Sequence, residues 1–325
     1  MAEDNKIVMP EKVVVILGPT ATGKTKLAVK LAKKFKGEII SADSRQVYKG
    51  MDVGTGKDLR EYQYKVKNQK LKIKNAIKKS KVEKVPYHLI DVVSPKQQFT
   101  VADWQQRAMA AIKDIHRRNK LPIVVGGTGL YITALTEGYV LPEVRSENQE
   151  LRIKLDKLSL RQILARLKKI DPKTYKIIDK KNRRRVQRAL EIYYQTGRPK
   201  SAQLVKEKPA YNFLLLGLTF PREELKKRTL QRLKTRFDKE NMVEEVARLH
   251  KKGLSWKKLD SFGLEYRWIA RYLQNKISYE EMFDQLSRAT FNFAKRQMTW
   301  FKRDQDINWI KDHKQAEQLV KKFIK

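Results

Sequence analysis

The chain has 325 residues, no cysteine, and 73 Lys plus Arg against 36 Asp plus Glu, a formal net charge of +37. The missing cysteines exclude disulfides, thiolate zinc sites and thiol catalysis, and fit a reducing cytosol. A field of this sign draws in polyanions, and nucleic acid fits better than a membrane surface, because no basic amphipathic helix with a bulky apolar face stands apart from the core.

The length accommodates one large domain or two ordinary ones, and the 41% hydrophobic content allows a sizeable core. The polar opening MAEDNKIVMPEK has no signal-peptide h-region, and no apolar run approaches a membrane span. A cytoplasmic location is therefore expected.

The stretch Val13 to Thr25, VVVILGPTATGKT, comes first. Val13–Leu17 reads as a buried strand. Gly18, Pro19, Thr20, Ala21, Thr22, Gly23, Lys24 and Thr25 form a GxxxxGK[ST] loop. Apolar residues at Leu27, Ala28, Leu31, Ala32 and Phe35 then follow helical spacing. Strand, glycine-rich loop and helix in that order form a phosphate cradle, with backbone N–H groups and a helix N-terminus aimed at one anion. Lys24 adds a point charge, and the Thr25 hydroxyl suits a divalent metal.

Ile39 and Ile40 predict a short strand, with Asp43 just past its end. Strand ends beside a P-loop face the ligand crevice of an open α/β sheet. There Asp43 serves either as a helix N-cap or as a functional carboxylate, and its neighbours Ser44, Gln46 and Tyr48 favour function. Residues 60–84 carry ten Lys/Arg against two Glu, and Tyr62, Tyr64 and Val66 alternate with polar residues, as do Leu71 and Ile73. Either a protruding basic hairpin, with Asn68-Gln69 between its two runs, or a disordered loop is expected. Pro86–Asp91 reads as a strand, 100–119 as a helix, and LPIVVGGTG as a buried strand running into a second glycine-rich turn that carries Thr128.

From Leu141 to Ser201 strand signals stop, and basic helical segments are expected at 147–158, 159–169, 172–179 and 182–196. Arg183, Arg184, Arg185 and Arg188 make a dense phosphate patch or a solvated helix face. FLLLGLTF (213–220) resumes the sheet. A long basic helix follows with Arg228, Arg232 and Arg236 on one face, either an anion clamp or a solvated surface. Ser278-Tyr-Glu-Glu281 is a capping box. The helix it starts carries AKRQMTWFKR, where Lys295 and Arg296 lie among aromatics. The expected class is α/β: a P-loop parallel-sheet core with an inserted all-helical domain and a helical C-terminal region.

The blocks GPTATGKT, ISADSRQVYKGMDVGTGK, PYHLIDVVSP, VADW, VVGGTGLY, RALEIYYQTGRPKS and AKRQMTWF, in this order, resemble the tRNA dimethylallyltransferases (tRNA isopentenyltransferases), over residues 13 to 304. The lack of a zinc finger is similar to the bacterial type. The resemblance implies 1–140 as the first part of a P-loop core (with the basic insertion at 60–84), 141–205 as an inserted helical tRNA-binding domain, and 206–325 as the rest of the core with C-terminal helices. It implies transfer of a dimethylallyl group from dimethylallyl diphosphate to N6 of the adenosine 3′ of the tRNA anticodon. Asp43 would be the general base, with Lys24, Thr128 and Arg232 also in the catalytic set. The P-loop and Arg232 would hold pyrophosphate, with Mg²⁺ bound through Thr25. The anticodon stem-loop would meet Asp43, Ser44, Arg45, Gln46, Thr128, Arg152, Arg184, Arg185, Arg188, Lys295 and Arg296. A monomer is expected. Prenyl transfer to free AMP and a P-loop RNA-binding ATPase are the alternatives. The chain departs from the family pattern at GTGKD (54–58, for GTAKP), in the insertion at 60–84, at Phe262–Tyr266 (for IGYKE) and at Phe291 (for Arg).

Overall fold

The computed structural model describes residues 11–65, 82–141, 149–203 and 205–325. Strand β1 (Lys12–Leu17) leads into helix α1 (Lys24–Phe35) and β2 (Gly37–Ser41). A 3-10 turn (Leu59–Tyr62), an antiparallel pair β3 (Gln63–Lys65) and β4 (Val82–Lys84), and β5 (Tyr87–His88) follow. Then come α2 (Val101–Arg117), β6 (Leu121–Gly126) and α3 (Gly129–Thr136). The next stretch holds β7 (Tyr139–Val140), α4 (Gln149–Asp156), α5 (Leu160–Ile170), α6 (Pro172–Ile177), α7 (Arg183–Thr196), α8 (Lys200–Gln203) and β8 (Val205–Lys206). The last holds β9 (Asn212–Gly217), α9 (Arg222–Lys239), α10 (Met242–Lys251), α11 (Trp256–Phe262), α12 (Leu264–Leu273), α13 (Tyr279–Phe301), β10 (Asn308–Trp309) and α14 (His313–Ile324).

The described chain separates into two compact units. The first draws on the described residues within Met1–Phe99, Trp104–Ile132 and Ala210–Lys325; the second on those within Thr100–Asp103 and Thr133–Pro209. In the first, six parallel strands run in the order β10-β9-β1-β6-β2-β5. Parallel strands are covered on both faces and read as continuous apolar runs. Val13, Val14, Val15 and Ile16 are accordingly fully buried. One face packs on α1 through Leu27, Ala28, Leu31 and Ala32, and on α14 through Ala316 and Val320. Because β1 lies between β6 and β9, its carboxyl end opens onto a crevice shared by the loops after β1, β2 and β6.

The second unit has its own core of Leu155, Ile163, Leu167, Val186, Ala189 and Leu190. Ser159 and Gln162 form a reciprocal capping box at α5. Strands β7 and β8 pair in this unit, an antiparallel ribbon that two-residue segments do not signal in sequence.

Two expectations change. The strand expected over Pro86–Asp91 shrinks to Tyr87–His88, because Leu89 and Asp91 adopt left-handed φ of 61° and 57°. Tyr62 belongs to the 3-10 turn and is buried against the core, so only Tyr64 keeps its place in the hairpin ladder, opposite Glu83. Val66, Leu71, Ile73 and Asn68-Gln69 lie outside the described residues, as does Glu147 at the start of the first expected helix. Among the described residues no helix is long and apolar enough to cross a membrane.

Candidate active site

The loop after β1 builds the anion cradle. Gly18 holds φ at 144°, and a Cβ there would lie 2.2 Å from the carbonyl oxygen of Leu218, so only glycine lets the P-loop pass the end of β9. Gly23, at φ 79°, caps α1, whose first turn has no acidic side chain to compete for an anion. Lys24 Nζ donates to the Pro19 carbonyl at 2.6 Å, and Thr22 Oγ1 donates to the same oxygen at 2.9 Å. Burial, and then the charge of Arg232, push the Lys24 ammonium down to about 7, against a smaller opposite pull from Asp43. Among the described residues this cation has no anionic partner in contact, as a phosphate site requires.

Asp43 follows β2. Its Oδ1 accepts from the backbone N–H of Arg45 at 2.8 Å and more weakly from that of Gln46 at 3.4 Å. Asp43 therefore caps a turn and not the helix expected as the alternative, and among the described residues this occupies one carboxylate oxygen only. Thr128 Oγ1 accepts from the Ser44 N–H at 3.0 Å, which ties the turn after β6 to the turn after β2 and leaves its own proton to donate. Gln46 is engaged structurally: its amide donates to the Gly56 carbonyl at 3.0 Å and accepts from Ser41 Oγ at 2.9 Å.

Helix α9 brings Arg232 to the P-loop. Its Nη1 donates to Thr20 Oγ1 at 3.3 Å and its Nη2 to Asp58 Oδ2 at 3.0 Å. Arg228, one turn earlier, pairs with Glu224 at 2.6 Å and covers the Phe220 ring. Arg236 is buried, 3.7 Å from Glu265 and 3.9 Å from Asp58. Burial, and then Arg232, hold its guanidinium below the usual range.

Segment 51–58 forms the opposite wall and is fastened from behind. The buried Glu245 carboxylate accepts the N–H groups of Asp52, Val53 and Gly54 at 2.7, 2.7 and 3.1 Å, and the Tyr266 hydroxyl at 2.8 Å. Lys57 is 1% exposed, bonded to Asp52, to the Tyr48 carbonyl and to Asp91. Asp91, one of two strand-end carboxylates beside the P-loop, is thus committed to Lys57, and Asp43 is the one that faces the cleft.

From α13, Gln297 joins the two glycine-rich loops: Oε1 accepts from the Thr20 N–H at 3.0 Å, and Nε2 donates to the Gly127 carbonyl at 2.8 Å. Together these elements enclose an open cleft of about 1650 Å³, lined among others by Lys24, Asp43, Thr128, Arg232 and Arg296. Lys295 is exposed on the same helix. The Arg222 guanidinium lies 5.5 Å from the Phe291 ring, so a cation stands beside the position where the family pattern has Arg.

In the helical unit, Arg152 and Arg188 converge on the buried carboxylate of Glu191 at 3.3 and 3.2 Å. Arg184 and Arg185 are exposed at the start of α7. Arg183 does not join them: it donates to the carbonyls of Leu155, Asp156 and Leu158, closing the end of α4.

A family profile described as IPP transferase matches residues 46–304. The chain belongs to this family. Relatives include tRNA dimethylallyltransferase 2 of Treponema denticola, 45% identical with 91% of this chain and 95% of that protein covered. tRNA dimethylallyltransferase 1 of Geotalea daltonii is 43% identical over 91% and 89% of the two chains. Among solved structures, the full-length tRNA isopentenylpyrophosphate transferase of Bacillus halodurans is 35% identical, covers 97% of this chain and 95% of its own, and superposes with a TM-score of 0.66. A eukaryotic dimethylallyltransferase acting on tRNA gives a TM-score of 0.75 at 28% identity, over 96% of this chain and 77% of its own. The α/β architecture, with its six-stranded parallel sheet and many helices, is thus that of the IPP transferases.

Asp58, Glu245 and Gln297 were not singled out from the sequence as site residues. Gln297 lies in the quoted AKRQ block and Asp58 in the quoted GTGKD block, so both carried a motif signal. Glu245 sits in an ordinary amphipathic helix and carried none.

Proposed function

We propose that this chain transfers the dimethylallyl group of dimethylallyl diphosphate to N6 of the adenosine 3′ of the tRNA anticodon, releasing pyrophosphate. The observation that carries the reading is the position of Asp43. It lines the same cleft as Lys24, Arg232 and the P-loop, and only one of its carboxylate oxygens is used by the turn.

The acceptor amine is conjugated into the adenine ring and is a weak nucleophile. Asp43 orients it and takes its proton as the C–N bond forms. Thr128, with its hydroxyl proton still to donate, positions the base beside Asp43. The C–O bond to the diphosphate breaks, and the charge that grows on the leaving group meets donors already in place: P-loop N–H groups, Lys24 and Arg232. The flipped base costs a few kcal/mol of stacking, which contacts of the anticodon arm to Arg184, Arg185, Lys295 and Arg296 offset. Arg152 and Arg188, tied to Glu191, present a more fixed pair.

No group of three or more metal-binding side chains stands among the described residues. That fits Mg²⁺, which is commonly held by few protein ligands, waters and substrate phosphates. Thr25, half-buried in the first turn of α1, would supply the hydroxyl ligand, and an ion held there would serve to neutralise pyrophosphate charge. The protein acts as a monomer in the cytoplasm, where its tRNA substrate is found.

The test combines purified protein, dimethylallyl diphosphate and unmodified tRNA, followed by mass spectrometry of the digested RNA. Isopentenyladenosine is expected with tRNA and not with AMP, and Asp43→Ala lowers the rate by at least about 100-fold. A folded Asp43→Ala protein with full rate removes the base assignment. RNA-stimulated ATP turnover without prenylated product would favour the ATPase reading.

A further inference from the structure

Two of the departures from the family pattern, Gly56 and Asp58, meet at one place. Asp58 Oδ2 lies 3.0 Å from Arg232 Nη2 and 3.9 Å from Arg236 Nη2. Arg236 is 5% exposed, and its Nη2 has no hydrogen-bond partner among the described residues. A Cβ on Gly56 would fall 2.1 Å from both Nη2 atoms, so a side chain there would displace the ends of the two arginines from the places they hold. One carboxylate therefore faces two cations, bonded to the first and just short of the second.

We propose that Asp58 is a positioning residue for the pyrophosphate grip: it parks Arg232 before the donor binds, then moves onto Arg236 when Arg232 turns to the diphosphate. The inference rests on the assignment of Arg232 to pyrophosphate made above. The movement needed is small, since Arg232 Nη1 already reaches Thr20 Oγ1 in the P-loop. It is compensated only in part, because a direct bond of Asp58 to Arg232 is exchanged for a pairing with the more distant Arg236. A buried donor without an acceptor is costly, and the Asp58 carboxylate supplies Arg236 Nη2 with one as the incoming anion takes over Arg232. While parked, Arg232 is not free for the anion, so the pair weakens binding of donor and of product pyrophosphate alike.

The test titrates inorganic pyrophosphate into the full chain by calorimetry. Asp58→Asn removes the charge and keeps the backbone, because Asn tolerates the left-handed φ of 43° found there. Asp58→Gly meets the same backbone demand and serves as a second variant. Both are expected to bind pyrophosphate about two- to fivefold tighter than wild type, within the range that a partly exposed ion pair commands. In turnover both lower the KM for dimethylallyl diphosphate without raising kcat. In an Arg232→Gln background, less than half of the gain, on a logarithmic scale, should remain. A gain below about twofold, a raised KM, or a gain that persists beyond half without Arg232 overturns the proposal. A wild type that fails to bind pyrophosphate removes the P-loop assignment and this inference with it. A wild type that binds, with variants no tighter, removes the inference alone.

Discussion

The side-chain carbonyl of Gln297 accepts the backbone N–H of Thr20 at 3.0 Å, so the P-loop is held by a helix that lies 277 residues further along the chain. The same amide donates to Gly127. Gln297→Ala leaves a buried N–H and a buried C=O unpaired and is expected to cost about 1–3 kcal/mol in urea denaturation. Gln297→Glu has the same sign, because its carboxylate opposes the Gly127 carbonyl. Both raise the KM for dimethylallyl diphosphate. An unchanged denaturation midpoint for the alanine variant would show that the link carries no stability.

Glu245 acts as an anion held by the protein itself, on three consecutive N–H groups of segment 51–58. Glu245→Ala strips these donors and the Tyr266 hydroxyl of their acceptor, with an expected loss of about 3 kcal/mol. Tyr266→Phe removes one of the four bonds and is expected to cost about 1 kcal/mol. The double variant should cost less than the sum, since both act through one carboxylate. Additive losses in chemical denaturation would contradict that.

Lys24 sets a pH dependence for anion binding. In the ligand-free protein its pKa is lowered to about 7 by burial and by Arg232, with Asp43 opposing. Bound pyrophosphate adds negative charge beside it and raises that pKa. Above the free-protein value and below that of the complex, binding must therefore take up a proton, and affinity falls as pH rises through this window. Calorimetry at about pH 8, in buffers of different ionisation heat, should show uptake by wild type relative to Lys24→Arg, whose guanidinium stays charged. Using the difference cancels the ligand's own titration. Equal proton counts for the two proteins would exclude a titrating Lys24.

Arginines of one run should divide into two behaviours. Arg184→Gln and Arg185→Gln are expected to lower tRNA affinity, each flattening the plot of log K against log salt by about one unit, with stability changes within about 0.5 kcal/mol. Arg183→Gln is expected to lose about 1–3 kcal/mol of stability, because it closes the carbonyl end of α4. A salt slope changed by Arg183→Gln in a fully stable protein would reverse this division.

The elements around the P-loop were legible to within a residue or two, because β1 is a continuous apolar run and the glycines admit one local geometry. Asp43, Thr128 and Arg232 were legible through their motifs, and the structure brings them to one cleft. What could not be read was partner choice. Nothing local to Asp91 says that it will face Lys57, nor anything near Glu245 that it will cap a loop about 190 residues earlier. The strand Pro86–Asp91 was overestimated because Leu89 and Asp91 are left-handed, and the second of them serves that same Lys57. Strand β10 was missed because two residues, Asn308 and Trp309, hold no alternation to read.

The position of β1 in the sheet also dictates an order of events during synthesis. Its neighbours are β6, starting at Leu121, and β9, starting at Asn212. The P-loop strand is translated first, yet one of its edges stays bare until β9 emerges. At roughly 5–20 residues per second, that interval is on the order of ten seconds or longer. Throughout it, an apolar strand waits with unpaired backbone groups. The second unit, whose contacts are local, can fold in the meantime. Nascent chains stopped before β9 should accordingly be bound by chaperones and bind no pyrophosphate, whereas those that extend through α13 should do the reverse.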